Sequence, residues 1–200
     1  MQLRPLPFSG GVTYAIAFWI ACTVWVVPEI VAAKIKRSPD SSTVRDRGSL
    51  HLIALLWWTG IAGDVFLSLV LPQAGIVHAR TALFIAGTCL MVAGIVFRWY
   101  SAAVLGKYFT FDVSIQSSHA LIEQGPYRYI RHPSYTGALL TLVGFGLVLG
   151  NWAGLIVNLL CLGSAYAYRI PIEEAALLTF LGESYLQYVN RTWRLVPFLF

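Results

Sequence analysis

The feature that most constrains this chain is a series of apolar runs, each about as long as a bilayer's hydrocarbon core is thick. Val12 to Ala33 carries one charge, Glu29, just after Pro28. Leu50 to Leu71 is 22 residues with His51 at one end and Asp64 midway, and Thr81 to Tyr100 has Arg98 near its end. An α-helix needs about 20 apolar residues to cross the hydrocarbon. None of the runs alternates as a barrel strand would, and only helices and closed barrels satisfy their backbone polar groups in lipid. The expected fold class is therefore an all-α integral membrane protein.

Composition agrees. Hydrophobic residues make up 58% and charged ones 12%, about half the charged fraction of a soluble domain. The net charge of +5 contains no block of five or six like charges, so no nucleic-acid partner is expected. Cys22, Cys89 and Cys161 lie far apart in apolar stretches. They read as buried, inert thiols, and with only lone histidines beside them no metal is expected. The first run is too long for a signal-peptide core and reads as a retained span.

The last apolar block differs from the others. Pro133 to Tyr168 is 36 residues, broken at Gly150-Asn151. Two helices joined there by a tight turn would have about 17 residues each, the short end of the spanning range, and a shallow re-entrant hairpin is the alternative. Either way both arms open on one face. Five crossings then put Lys34, Lys36, Arg37, Arg45, Arg47, Lys107, Arg128, Arg131, Arg169, Arg191 and Arg194 on one side, leaving Arg4 and Arg80 opposite. That bias places the eleven in the cytoplasm and the N-terminus outside. Pro171 to Trp193 reads as a cytoplasmic amphipathic helix with Pro171 in its first turn. The segment 106–131 is mixed, with β-leaning residues in KYFTFDVSI. The expected architecture is about five transmembrane helices, the last two a tight hairpin, plus that C-terminal helix.

Two polar clusters border the hairpin. HALIEQGPYRYIRHPSY, His119 to Tyr135, ends where Pro133 opens a helix. Free N–H groups and a partial positive charge at such a tip make an anion site, to which Arg128, Arg131 and His132 add donors. On composition alone the cluster also fits a basic, aromatic interface anchor. The second cluster is RIPIEE, Arg169 to Glu174, in which Arg169 and Glu173 share a face if Pro171 leaves the helix continuous. Each has a structural explanation alone, snorkelling for the arginine and dipole complementation for the acids. Facing each other across a closed hairpin, they suit a zwitterionic ligand.

GPYRYIRHPSY (Gly125–Tyr135), RIPIEE (Arg169–Glu174) and FLGESYLQY (Phe180–Tyr188) resemble, in order and spacing, the motifs of the isoprenylcysteine carboxyl methyltransferase family of integral membrane enzymes. The match covers about 95 residues, from Leu105-Gly106 to the C-terminus; the first three spans match only in being apolar. The resemblance implies methyl transfer from S-adenosylmethionine to the carboxylate of a prenylated cysteine or similar lipidic substrate. It implies a cofactor pocket of His119, Ala120, Leu121, Ile122, Tyr127, His132, Pro133, Ser134, Tyr135 and Glu173, with Arg169 and Glu173 catalytic and Arg169 on the substrate carboxylate. Asp112 falls where the family has an amide, and Gln116 is the alternative. Residues 1–104 would form a three-span membrane region and 105–200 the cofactor-binding catalytic region, within one structural domain. The partners implied are the lipidic substrate and the bilayer, with no obligate protein partner.

A carboxylate with pKa near 3.5 needs no general base at neutral pH, so catalysis would rest on positioning and electrostatics. A phospholipid amine acceptor would need one, with Glu174 or His119 to serve. A non-enzymatic membrane subunit or transporter would instead centre on Asp64 and Arg98, the ionisable groups within spans. Those two are expected to pair or to line a lipid tunnel, with snorkelling the simpler reading for Arg98. His51 and His78 read as interface residues.

Overall fold

The computed structural model describes residues 5–35, 43–44, 48–76, 78–111, 114–115 and 120–198. Asp112, Gln116 and His119 lie outside them, as do Arg4, Lys36, Arg37, Arg45 and Arg47. The elements in order are α1 (Leu6–Ser9), α2 (Val12–Ile35), β1 (Thr43–Val44), α3 (Ser49–Val70), α4 (Arg80–Leu105), β2 (Ser114–Ile115), α5 (Pro133–Leu149), α6 (Trp152–Leu181) and α7 (Glu183–Asn190). β1 and β2 pair antiparallel, Thr43 opposite Ile115.

The fold is the all-helical membrane architecture that the apolar runs predict. α2, α3, α4 and α6 are long and apolar enough to cross a bilayer, and α5, at 17 residues, is shorter. The hairpin is less symmetric than its sequence implies. α6 runs for 30 residues straight through Pro171, about 45 Å at 1.5 Å per residue against about 30 Å of hydrocarbon. Pro171 is thus interior, not first-turn, and the expected separate helix over Pro171–Trp193 is instead the overhang of α6, a break at Gly182 (φ 58°), and α7. A proline removes one N–H and crowds the preceding turn; the long stretches of helix before and after it supply the remaining bonds.

The hairpin turn is built by the two residues that break the apolar block. Gly150 caps α5 in the left-handed conformation (φ 64°), which a glycine adopts without strain. Asn151 caps α6, its side chain accepting from Gly154 N at 3.1 Å and donating to the Leu71 carbonyl at 2.9 Å. One amide side chain therefore closes the hairpin and anchors its tip to the end of α3.

α4 packs along α5 and α3 along α6. The first seam is a row of glycines. A Cβ on Gly94 would lie 2.6 Å from the Gly137 carbonyl and from Thr141 N, and one on Gly87 2.7 Å from the Gly144 carbonyl. Seven-residue spacing on both helices lets two backbones touch, which is how helices gain packing where lipid gives no hydrophobic drive. The second seam holds Asp64, fully buried, which accepts from Asn158 Nδ2 at 3.2 Å. Phe18, Trp25, Met91, Leu142, Phe145 and Leu162 fill the centre. None of the three cysteines is buried: Cys22 and Cys161 are half-exposed and Cys89 is exposed. His51 and His78 are exposed at helix ends.

Candidate active site

At the mouth of the hairpin the two polar clusters meet. Continuity of α6 through Pro171 puts Arg169 and Glu173 on one face, Nε to Oε1 at 2.7 Å. Tyr135, in the first turn of α5, points across at both: its hydroxyl donates to Glu173 Oε1 and accepts from Arg169 Nε at 2.8 Å. The rest of the Arg169 fork is held by Ser49 Oγ at 3.1 Å and the Phe111 carbonyl at 2.5 Å. The Tyr135 ring stacks between Tyr166 (4.5 Å) and His132 (5.6 Å).

His132 lies between the two glutamates, Nδ1 3.4 Å from Glu173 Oε2 and Nε2 3.3 Å from Glu174 Oε1. Burial works against its charged form, but the two carboxylates outweigh that and raise its pKa above the ordinary imidazole value. An imidazolium with both N–H groups on carboxylates is a cross-brace. That differs from a free donor at the helix tip, and the tip itself is largely satisfied: His132 N donates to the Arg194 carbonyl, and Tyr135 N and Thr136 N to the His132 carbonyl. Glu174 also takes Arg131 Nε at 2.9 Å and Arg194 Nη2 at 2.9 Å. The chain after α7 forms a strap along residues 129–132, Arg131 N donating to the Trp193 carbonyl and Trp193 N to the Tyr129 carbonyl. Arg128, expected near the tip, is exposed over the Tyr129 ring.

These groups wall an open-mouthed cleft. Ala120, Leu121, Ile122, Tyr127, His132, Ser134, Tyr135, Arg169 and Glu173 all line it. Pro133 is buried in the helix start behind the wall. Leu50, Ile53 and Trp57 of α3 and Leu162 of α6 give the cleft an apolar stretch.

Sequence reasoning offered Arg98 as a tunnel-lining residue but missed what holds it. Arg98 does not snorkel and does not meet Asp64. It is 7% exposed and lines the cleft, gripping Glu29 of α2 through both oxygens at 2.5 and 2.8 Å. Its other nitrogen donates to Ser134 Oγ at 2.7 Å, tying α2 and α4 to the start of α5. The signal was Glu29 itself, a carboxylate inside a span, where a charge requires a partner.

A family model described as phospholipid methyltransferase matches residues 82–184, just over half of the chain. The chain is 33% identical over 115 residues to the probable protein-S-isoprenylcysteine O-methyltransferase of Oryza sativa subsp. indica, covering 56% of this chain and 60% of that one. It is 30% identical over 117 residues to the protein-S-isoprenylcysteine O-methyltransferase of Saccharomyces cerevisiae, covering 58% and 49%. A solved structure of the eukaryotic intramembrane Ras methyltransferase, isoprenylcysteine carboxyl methyltransferase without a monobody, superposes with a TM-score of 0.61 at 26% identity, over 73% of this chain and 52% of that one. The chain spans about half the length of the relatives it matches. With its glutamate pair, its RHPxY helix start and its hairpin all inside the matched stretch, the chain belongs to the phospholipid methyltransferase family.

Proposed function

We propose that the protein is a membrane-embedded methyltransferase that transfers a methyl group from S-adenosylmethionine to the carboxylate of a prenylcysteine-like lipid. The observation that carries this reading is the convergence of Arg169, Glu173, Tyr135 and His132 on one cleft that also has an apolar wall from membrane-spanning helices. The residues fit the cofactor: a glutamate for its cationic or hydroxyl groups, tyrosines for base and sugar, and Ala120–Ile122 as an apolar floor. When bound, S-adenosylmethionine supplies an electrophilic methyl group.

The chain's own part is orientation and charge. Arg169 keeps Nε on Glu173, a charged partner, and exchanges the neutral Ser49 hydroxyl and Phe111 carbonyl for the substrate carboxylate. A guanidinium fork matches a carboxylate in geometry. Ion pairing at Nε holds the fork still while the outer nitrogens aim one carboxylate oxygen at the methyl carbon. The α7 strap, fixed by Arg131 and Arg194 to Glu174, covers the charged end and keeps water out. The apolar α3 and α6 residues receive the lipid tail from the bilayer. The lysine and arginine bias puts this mouth on the cytoplasmic face, with the N-terminus outside.

A phospholipid amine is the second reading, favoured by the description of the family model. Both readings require the cofactor. Calorimetry with S-adenosylhomocysteine on detergent-purified protein tests them together: saturable binding is expected, weakened by Glu173→Ala, and no heat at millimolar ligand refutes the enzyme.

A further inference from the structure

Tyr185, a residue of the cleft wall, carries a buried hydroxyl with no hydrogen-bond partner among the described residues. It sits in the first turn of α7, 2% exposed, its ring 6.0 Å from that of Tyr188. Tyr188, one turn on, is the opposite case: its hydroxyl donates to the Tyr127 carbonyl at 2.6 Å and ties α7 to the turn after Ala120–Ile122. Most other buried polar atoms without partners lie away from the cleft, as with Asp64 and Ser68 in the α3–α6 seam; Trp57 Nε1 belongs to its apolar wall.

An orphaned buried hydroxyl costs about 1–3 kcal/mol, and folded proteins keep few of them. Phenylalanine would fill the same space without that cost. Burial, with Glu174 nearby, pushes the Tyr185 phenol above its ordinary pKa, so the group is a neutral O–H that can donate and accept. The same cleft is lined by Ala176, Leu177 and Leu181 of α6 and by the Ala120–Ile122 stretch, and the Tyr188–Tyr127 bond sets α7 beside the turn that follows that stretch. The charged part of the cleft is instead occupied by Glu173, Arg169 and His132. A neutral donor–acceptor matches the ring nitrogens and ribose hydroxyls of a nucleoside better than it matches an amino-acid zwitterion.

We propose that the Tyr185 hydroxyl hydrogen-bonds the adenosine half of the cofactor. This rests on the methyltransferase reading, which the test separates. Calorimetry is run on parent and Tyr185→Phe protein with S-adenosylhomocysteine and with 5′-methylthioadenosine, which keeps the adenosine and lacks the amino acid. Melting of the ligand-free proteins is read alongside, with Tyr188→Phe for comparison. Tyr185→Phe is expected to weaken both ligands about 3- to 10-fold, the size of one neutral hydrogen bond. Its ligand-free melting temperature stays level or rises, whereas Tyr188→Phe, losing the Tyr127 tie, melts lower. Unchanged affinities overturn the assignment. So does weakening of S-adenosylhomocysteine alone, which would put the hydroxyl on the amino-acid half. So does a lower melting temperature for ligand-free Tyr185→Phe, which would reveal a partner within the chain. If the parent binds neither ligand, the methyltransferase reading falls and this assignment with it. If the parent binds and the variant matches it, only this assignment falls.

Discussion

Glu29→Gln should be among the most damaging single-atom-scale changes in this protein. Glu29 and Arg98 are a bidentate pair with side-chain exposures of 6% and 9%, set between α2 and α4. Removing one partner of a buried pair leaves an uncompensated charge and costs about 3–5 kcal/mol. At about 2–4 °C per kcal/mol for a chain of this size, that is roughly 6–20 °C in melting temperature. The internal control is the Arg191–Glu123 pair, whose side chains are 58% and 38% exposed. Glu123→Gln should cost less than about 1 kcal/mol. Replacing both buried partners, Glu29→Leu with Arg98→Met, removes the stranded charge, and a buried pair replaced by apolar side chains is often near neutral in stability. The double variant should therefore regain most of the melting temperature. It should not regain activity, because Ser134 loses the guanidinium that holds the start of α5. Thermal unfolding in one detergent, with S-adenosylhomocysteine affinity as second readout, measures both. A Glu29→Gln loss no larger than that of Glu123→Gln, or a double variant no better than the single, refutes the reasoning.

Three further outcomes follow from the geometry. His132 has a raised folded pKa, so its stabilisation is complete below about pH 6.5, the unfolded value, and is lost as pH climbs through the folded one. Parent melting temperature should fall from pH 6 to 9 more steeply than that of His132→Gln, and parallel curves would contradict this. Gly94→Ala drives a methyl into the Gly137 carbonyl and should lower folded yield and melting temperature sharply; Gly163→Ala, with nothing within 4 Å, should be neutral or stabilising by about 0.5–1 kcal/mol. Arg169→Lys cannot hold Glu173, Tyr135, Ser49 and Phe111 together. Turnover should drop by about 100-fold or more, with S-adenosylhomocysteine affinity far less affected; equal losses in both would reverse the roles.

The spans were legible because lipid imposes a length and an apolar character that a run of residues displays directly. Gly150-Asn151 was legible as a turn for the same local reason. The Arg169–Glu173 pair was half legible: spacing set the face, but whether Pro171 ended the helix depended on α3 packing alongside α6, which no local pattern reveals. The partners in the Glu29–Arg98–Ser134 tie and in the strap over residues 129–132 were hidden. Tie and strap each join residues tens of positions apart, and a lone charge in a span says that a partner exists without saying which.

The acceptor can be argued from where the cleft's charges are spent. Glu173 has Arg169 and Tyr135 on one oxygen and His132 on the other. Glu174 has Arg131, His132 and Arg194 across its two oxygens. A carboxylate so engaged is a poor proton acceptor, so the described residues leave Glu174 unsuited to the base role that an amine acceptor needs. Together with Arg98 and Glu29, five cations face three carboxylates, a surplus that favours an anionic substrate. A carboxylate acceptor, ionised above a pKa of about 3.5, predicts a rate that is flat from pH 6 upward and falls only on the alkaline side, as His132 loses its proton and the cross-brace between the glutamates opens. An ammonium acceptor predicts the reverse slope, rising about tenfold per unit while the amine remains mostly protonated. Single-turnover rates with a farnesylcysteine analogue and with a phosphatidylethanolamine, each measured from pH 6 to 9, separate the two. A tenfold-per-unit rise on the lipid amine together with silence on the carboxylate would overturn the carboxylate assignment and leave the fold and cofactor site standing.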